Sequence, residues 1–129
     1  MIKRTTLENG LPVVCEQIPY VRSVSIGFWV ACGSRNENQH EQGISHLIEH
    51  MAFKGTKNRS AREIAESIDA VGGHLNAFTT KEYTCFYVKI LDRHFRLGLD
   101  LLADLVINSL FSPEELEKEK NVVLEEIKM

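Results

Sequence analysis

The sequence contains no long hydrophobic run. It has 129 residues, 43% of them hydrophobic and 26% charged. Glycine or charged residues interrupt each apolar stretch well before the roughly 20 residues that a membrane-spanning helix requires. The basic pair Lys3-Arg4 is followed by polar residues rather than by the apolar segment of a secretory signal. We therefore expect a globular domain of ordinary composition that has no membrane partner.

Excess positive charge and paired cysteines are also lacking. The net charge of −3 and the pI of about 5.9 provide no basic surface that would attract nucleic acid. The three cysteines, Cys15, Cys32 and Cys85, contain no C-x-x-C pair, so neither a disulfide framework nor a cysteine zinc site is predicted. Cys32 and Cys85 fall in apolar segments and are expected to be buried free thiols. Reduced thiols indicate a cytoplasmic protein.

Hydrophobic periodicity predicts an alternation of paired strands and paired helices. Segments rich in β-branched and aromatic residues occupy residues 11–18, 23–32, 74–79 and 83–90. Apolar residues recur at helical spacing in four segments. These predicted helices begin at Ile44, after the Ser60/Glu63 capping box, at Asp92 and after Ser112-Pro113. The order β-β-α-α-β-β-α-α predicts an α+β fold in which helices cover a largely antiparallel sheet. The last helical pattern reaches Met129 without a stop signal, so we expect the domain to continue.

The first predicted helix carries a pattern typical of a metal site. His46, Glu49 and His50 stand at positions i, i+3 and i+4, which lie on one helical face. Two imidazoles one turn apart can both reach a zinc ion at about 2.0–2.1 Å, and a carboxylate between them can contact the water on the metal. The residues expected on the opposite face, where they would anchor the helix to the sheet, are Ile44, Leu47, Ile48 and Met51.

A hydrolytic zinc site needs a third protein ligand, which must come from another element. On the fourth helix Glu119 and Glu126 are seven residues apart and share nearly the same direction. They flank an apolar seam, so we expect both to be partly buried, and a buried carboxylate requires a cation or several donors. Glu125 is a rival ligand, but it points about 100° away from Glu126 and is expected to be solvated. The seam consists of Leu116, Val123 and Ile127.

Other polar residues allow more ordinary explanations. His40, His74 and His94 are not spaced to join the motif and are expected at the surface or in turns. Phe53 shares the histidine face of the first helix, where it either lines a cleft or packs in the core. Asn76 either hydrogen-bonds a substrate or satisfies the neighbouring backbone.

In these features the chain resembles the M16 metallopeptidases, the family of pitrilysin, insulysin and the mitochondrial processing peptidase, and within it the processing-peptidase branch. The resemblance spans nearly the whole chain. Residues 46–50 match the family's inverted H-x-x-E-H motif, and residues 72–80 (GGHLNAFTT) resemble the family's edge strand beside the site. The fold implied by the resemblance is the same α+β arrangement that the periodicity predicts.

The resemblance also implies roles for individual residues. It implies one Zn²⁺ ion held by His46, His50 and Glu126, with Glu49 activating the attacking water. Glu119 would then support catalysis by orienting a ligand or tuning the charge of the site. The edge strand would bind an extended peptide by strand addition. Its residues are Asn76, Ala77, Phe78 and Thr79.

The implied function is that of a zinc-dependent endopeptidase acting on extended peptides. A different class of function is a non-catalytic subunit or peptide-binding scaffold on the same fold, but every motif residue is present, which favours the enzyme. The resemblance implies that residues 1–129 are the N-terminal zinc-binding part of a domain that continues further. It also implies a second, similar half, from the same chain or from a second copy in a homodimer, that contributes an Arg/Tyr pair for substrate binding.

We expect the isolated 129-residue segment to bind zinc but to hydrolyse peptides only weakly, because the second half is absent. Metal analysis combined with a peptidase assay on the purified segment measures both properties. Robust turnover by the segment alone would show this expectation to be wrong.

Overall fold

A three-stranded antiparallel sheet forms the centre of the molecule. The structure is a computed structural model and describes residues 1–128. Strand β5 (Thr84–Leu91) lies between β3 (Ser23–Val30) and β4 (His74–Thr79), and both neighbours are antiparallel to it. A separate antiparallel hairpin is formed by β1 (Ile2–Thr6) and β2 (Pro12–Glu16). The predicted α+β fold with antiparallel strands is confirmed.

Four helices accompany the strands. They are α1 (Ile44–Met51), α2 (Ala61–Asp69), α3 (Phe95–Ile107) and α4 (Pro113–Lys128). The capping box predicted for α2 is present, with the Ser60 hydroxyl accepting a hydrogen bond from the Glu63 backbone N–H at 3.1 Å. No helix within residues 1–128 is both long and apolar enough to cross a bilayer.

The core lies between one face of the sheet and α3. Because β5 is the central strand, its alternate residues are shielded on that face, and Val88 is completely buried. Helix α3 crosses β5 at Gly98, where an added Cβ would lie 3.2 Å from Ile90 Cγ2, so glycine allows the close approach. The buried core cluster comprises Ala52, Ile68, Ala77, Phe86, Val88, Ile90, Leu101 and Leu102.

The structure differs from the sequence prediction at the first strands. Strand β1 was missed, because both strands of its hairpin are exposed and the chain there lacks a buried face that would impose alternation. Strand β3 ends at Val30, two residues earlier than predicted, which leaves Cys32 exposed rather than buried. Cys85 is buried as expected, and burial raises the pKa of its thiol.

Two further differences concern helices. Residues Asp92–His94 form a short 3-10 turn, and α3 begins only at Phe95. In α1 the predicted anchoring face is only partly correct, since Met51 is 1% exposed but Ile44 and Ile48 are 43% and 42% exposed. Helix α1 packs against α4 and β4, and this packing leaves the two isoleucines partly exposed.

A buried carboxylate ties the loop that follows α1 to helix α3. Asp104 accepts hydrogen bonds from Thr56 Oγ1 at 2.6 Å and Asn58 Nδ2 at 2.8 Å, both in this loop. It also accepts from Arg59 Nη1 at 2.9 Å and from Asn108 Nδ2 at 2.8 Å. Burial raises the pKa of Asp104, but these hydrogen bonds outweigh it and lower the pKa to about 2. This ionised side chain therefore helps to fix the loop on α3, beside the backbone hydrogen bonds that join the two segments.

We predict that Asp104→Ala lowers the free energy of unfolding by about 3 kcal/mol, because it leaves buried donors and the Arg59 charge without a partner. The pKa of Asp104 is lower in the folded protein than its ordinary value of 3.8. The stabilisation is therefore complete above about pH 4 and is lost as the pH falls toward 2. Urea unfolding at several pH values measures both effects.

The matched control is Asp100→Ala. Asp100 also contacts Arg59, through Nη2 at 2.7 Å, but its side chain is 70% exposed. An exposed ion pair contributes at most about 1 kcal/mol. Equal losses for the two variants would contradict the assignment of the anchoring role to Asp104.

Candidate metal centre

Three side chains from two helices converge at one point. His46 Nε2 and His50 Nε2, both on α1, lie 3.1 Å apart. Glu126 Oε2, on α4, lies 2.6 Å from His46 Nε2 and 3.3 Å from His50 Nε2. Tetrahedral zinc with bonds of about 2.0–2.1 Å separates pairs of ligand atoms by roughly 3.3 Å. Two of the three separations are near this value, whereas the 2.6 Å between His46 and Glu126 is a hydrogen bond that would have to lengthen around an ion. Two imidazoles with a carboxylate are a donor set that zinc accepts.

The orientation of His50 is set by a buried acid. Glu119 is 6% exposed, and its Oε2 lies 3.0 Å from His50 Nδ1. An ionised carboxylate can only accept, so this contact keeps the proton of the ring on Nδ1 and leaves the Nε2 lone pair free to bind a metal. Glu119 therefore fixes the ring of His50.

Lys54 keeps Glu119 ionised. Its Nζ lies 3.0 Å from Glu119 Oε1. Burial raises the pKa of Glu119, but the hydrogen bonds from Lys54 and His50 outweigh it, and the pKa lies below its ordinary value. The sequence did not predict Lys54 as part of the site. Lys54 follows His50 by four residues, the spacing of one helical turn, and this spacing was the signal that could have identified it, although α1 ends at Met51.

Glu126 is more exposed than predicted. Its side chain is 43% exposed, and the hydrogen bond from His46 lowers its pKa. The seam beside it is buried only at Val123, whereas Ile127 is 63% exposed. The rival Glu125 is also exposed and pairs with Lys128 Nζ at 3.5 Å, outside the cluster of ligand atoms.

Glu49 lies beside the three converging side chains without joining them. Its side chain is 14% exposed, and its Oε2 is 3.7 Å from His46 Nδ1. The same oxygen accepts a hydrogen bond from Thr79 Oγ1 at 2.6 Å. An open cleft of about 210 Å³ borders the carboxylate. Its lining residues are Glu49, His50, Phe53, Lys54, Asn76 and Glu119.

Strand β4 forms one edge of the three-stranded sheet, next to the cleft. Ala77 is buried in the core, whereas Phe78 is 41% exposed. The Asn76 side-chain oxygen accepts a hydrogen bond from the backbone N–H of Ala77 at 2.8 Å, so it satisfies neighbouring backbone, one of the two roles left open by the sequence. Phe53 both lines the cleft and packs against the core.

The remaining histidines lie outside the cluster of ligand atoms. His40 and His74 are exposed and His94 is partly buried, as their spacing predicted. His74 packs its ring against Tyr87, with centroids 5.9 Å apart. None of the three contributes to the potential metal-binding group found among residues 1–128.

The start of α1 is held by an acid that sequence reasoning missed. The N-cap residue Gly43 has a φ of +90° and no side chain that could cap the helix. Glu37 replaces that cap by accepting hydrogen bonds from the backbone N–H groups of Gly43 at 2.8 Å and Ser45 at 2.7 Å. Burial raises the pKa of Glu37, but these backbone donors outweigh it and lower the pKa. A cap so distant along the chain has no local sequence signature.

Comparison with known proteins shows consistent similarity. The sequence profile described as Insulinase (Peptidase family M16) matches residues 12–129. The chain is 60% identical over its full length to a Bacillus subtilis protein named uncharacterized zinc protease YmxG, of which it covers 32%. It is 52% identical over 98% of its length to an uncharacterized zinc protease of Mycobacterium leprae, of which it covers 28%. The chain thus spans about a third of the length of these relatives.

A solved structure has the same fold. The crystal structure of a protease from Helicobacter pylori superimposes with a TM-score of 0.92 and 31% sequence identity. The match covers 98% of this chain and 30% of that protease.

We predict that Glu37→Ala lowers the free energy of unfolding by about 1 kcal/mol, the usual cost of losing a helix cap. Because the folded pKa of Glu37 is depressed, its contribution is complete above the ordinary carboxyl range and is lost as the pH falls through the folded pKa. Urea titrations near neutral pH and at acidic pH measure the effect. The nearby exposed Glu41→Ala should stay within about 0.5 kcal/mol of the wild type, and a loss as large as that of Glu37→Ala would refute the capping role.

Proposed function

Since the chain belongs to the insulinase family of peptidases, family M16, we propose that it forms the zinc-binding part of an endopeptidase that hydrolyses extended peptides. The observation that carries the proposal is the convergence of two α1 imidazoles and one α4 carboxylate, whose ligand atoms lie within 4.8 Å of one another. The curated relatives bear the name zinc protease, which agrees with this donor set.

In the proposed site, His46, His50 and Glu126 hold one zinc ion. When bound, zinc supplies Lewis acidity for the scissile carbonyl and lowers the pKa of a coordinated water. Glu119 acts through His50, whose ring it holds in the orientation that leaves Nε2 available. Lys54 compensates the charge of Glu119, so the network beneath the ligands stays ionised and hydrogen-bonded.

Glu49 is the proposed general base. It lies one residue before the ligand His50 and one turn after His46, so its carboxylate faces the same cleft as the ligands. There it takes a proton from the attacking water and later delivers a proton to the leaving amine. The Glu49 side chain is only 14% exposed, which limits its contact with bulk water, while the cleft beside it remains open.

The proposed substrate partner is an extended peptide paired with the edge of β4. An open strand edge offers backbone donors and acceptors at regular intervals, and a peptide in β conformation can use them. The proposed binding residues are Asn76, Ala77, Phe78 and Thr79. A second half of similar fold, from the same chain or from a second copy, would close over this edge, since the site of residues 1–128 is open to solvent.

The proposal predicts a separation of metal binding from catalysis in the full-length protein that contains this segment. Glu49→Gln should keep zinc but lose about 100- to 10,000-fold in kcat, because it removes only the base. Glu126→Gln should lose zinc affinity, because it removes a ligand. Zinc content by atomic emission, competition with a chromophoric chelator, and hydrolysis of short internally quenched peptides measure these outcomes.

Glu125→Gln is the matched control, since it makes the same change one residue away at a side chain directed to Lys128. It should leave both zinc affinity and turnover at wild-type values. Full turnover by zinc-loaded Glu49→Gln would remove the chemical basis of the proposal. A wild-type protein that binds zinc and peptide without hydrolysis would instead support the alternative, a peptide-binding scaffold.

A further inference from the structure

The hydroxyl of Thr79 is already engaged within the site. It donates to Glu49 Oε2 at 2.6 Å, a short hydrogen bond of the kind expected when the acceptor is charged. Within residues 1–128 the other carboxylate oxygen, Oε1, has no hydrogen-bond partner. One oxygen of Glu49 is therefore fixed by the protein, while the other is free for a reacting water.

The backbone that carries Thr79 is held by strand pairing and by hydrogen bonds of the adjoining turn. Thr79 is the last residue of β4 and is paired with Thr84 on β5. The turn that follows is closed by a hydrogen bond from Thr80 N to Tyr83 O at 2.8 Å. The loop before α1 also contacts this turn, through Ser34 N and Thr80 O at 3.1 Å. The β-branched side chain adds its own restriction at χ1.

Without such a restraint, the Glu49 carboxylate could rotate toward neighbouring polar side chains. Its side chain has three rotatable bonds. Its Oε2 is 3.7 Å from His46 Nδ1, and the Lys54 side chain lines the same cleft. Rotation toward either group would turn the carboxylate away from the place where it must meet a water. A fixed donor on the opposite wall prevents that rotation.

We infer that Thr79 is a positioning residue that fixes the carboxylate of Glu49 and thereby links the substrate-binding strand β4 to the general base. This inference rests on the proposed function for its catalytic consequence. It assigns the side chain of Thr79 to Glu49 and leaves only the backbone of Thr79 for a bound peptide. The same residue then sets the register of the peptide relative to the base.

The test compares Thr79→Val, which keeps the shape but removes the donor, with Thr79→Ser, which keeps the donor. The full-length, zinc-loaded protein is used with short internally quenched peptides as the probe. Thr79→Val should lower kcat by about 10- to 100-fold at unchanged KM and unchanged zinc content, because a hydrogen bond to a charged group that orients the base is lost. Thr79→Ser should restore most of kcat.

Crystal structures of the wild type and both variants give a second readout that does not depend on activity. The Glu49 carboxylate should keep its position in Thr79→Ser and lose it in Thr79→Val. Thr84→Val is the matched control, because its hydroxyl donates to Cys32 O at 2.9 Å rather than to Glu49. It should leave the carboxylate and kcat unchanged.

Several results would overturn the inference. One is an unmoved Glu49 carboxylate in Thr79→Val. A second is wild-type kcat in that variant, and a third is a loss expressed in KM, which would assign the hydroxyl to substrate binding. If the wild type itself fails to hydrolyse peptides, the proposed function fails, whereas the crystallographic comparison still decides whether Thr79 positions Glu49.

Discussion

The arrangement of the site depends on the buried carboxylate of Glu119. It lies between α1 and α4, and its two oxygens contact His50 of α1 and Lys54 in the turn that follows this helix. A buried carboxylate without partners would cost several kcal/mol, so the two helices are stable against each other only in the relative position that makes both contacts. That position also brings Glu126, two turns further along α4, to His46 and His50. The pairing of the helices and the geometry of the ligands therefore have the same physical cause.

The support for α1 comes from residues outside the helix. At its start, Glu37 replaces a cap that Gly43 cannot provide. After its end, the loop is fixed on α3 by Asp104. Helix α1 has only eight residues, too few to be stable alone in water. Its placement therefore depends on the whole fold. Hydrogen-bonded acids on either side stabilise this helix, whereas longer helices gain stability from additional internal hydrogen bonds.

Much of this could be predicted from the sequence, because helices and strands impose their own periodicities. The H-x-x-E-H spacing places His46, Glu49 and His50 on one face without any knowledge of the fold, and the capping box of α2 is local. Contacts between distant segments could not be predicted in this way. The hydrogen bond between Thr79 and Glu49 and the capping by Glu37 depend on tertiary packing, and the exposed β1 strand lacks the buried face that produces a pattern. The exposure of Ile44 and Ile48 was mispredicted for a related reason, since apolar residues indicate burial only where another element covers them.

The open edge of β4 has a consequence for selectivity. Hydrogen bonds to a strand edge involve only the main chain of the incoming polypeptide, which is the same for nearly every amino acid. If a peptide pairs with β4 as proposed, the edge would select by conformation rather than by sequence. It would accept a segment that is already extended and reject one whose amides are engaged in a helix or in a folded sheet. An active centre built beside it would spare native proteins and act on chains that have lost, or have not yet acquired, their own structure.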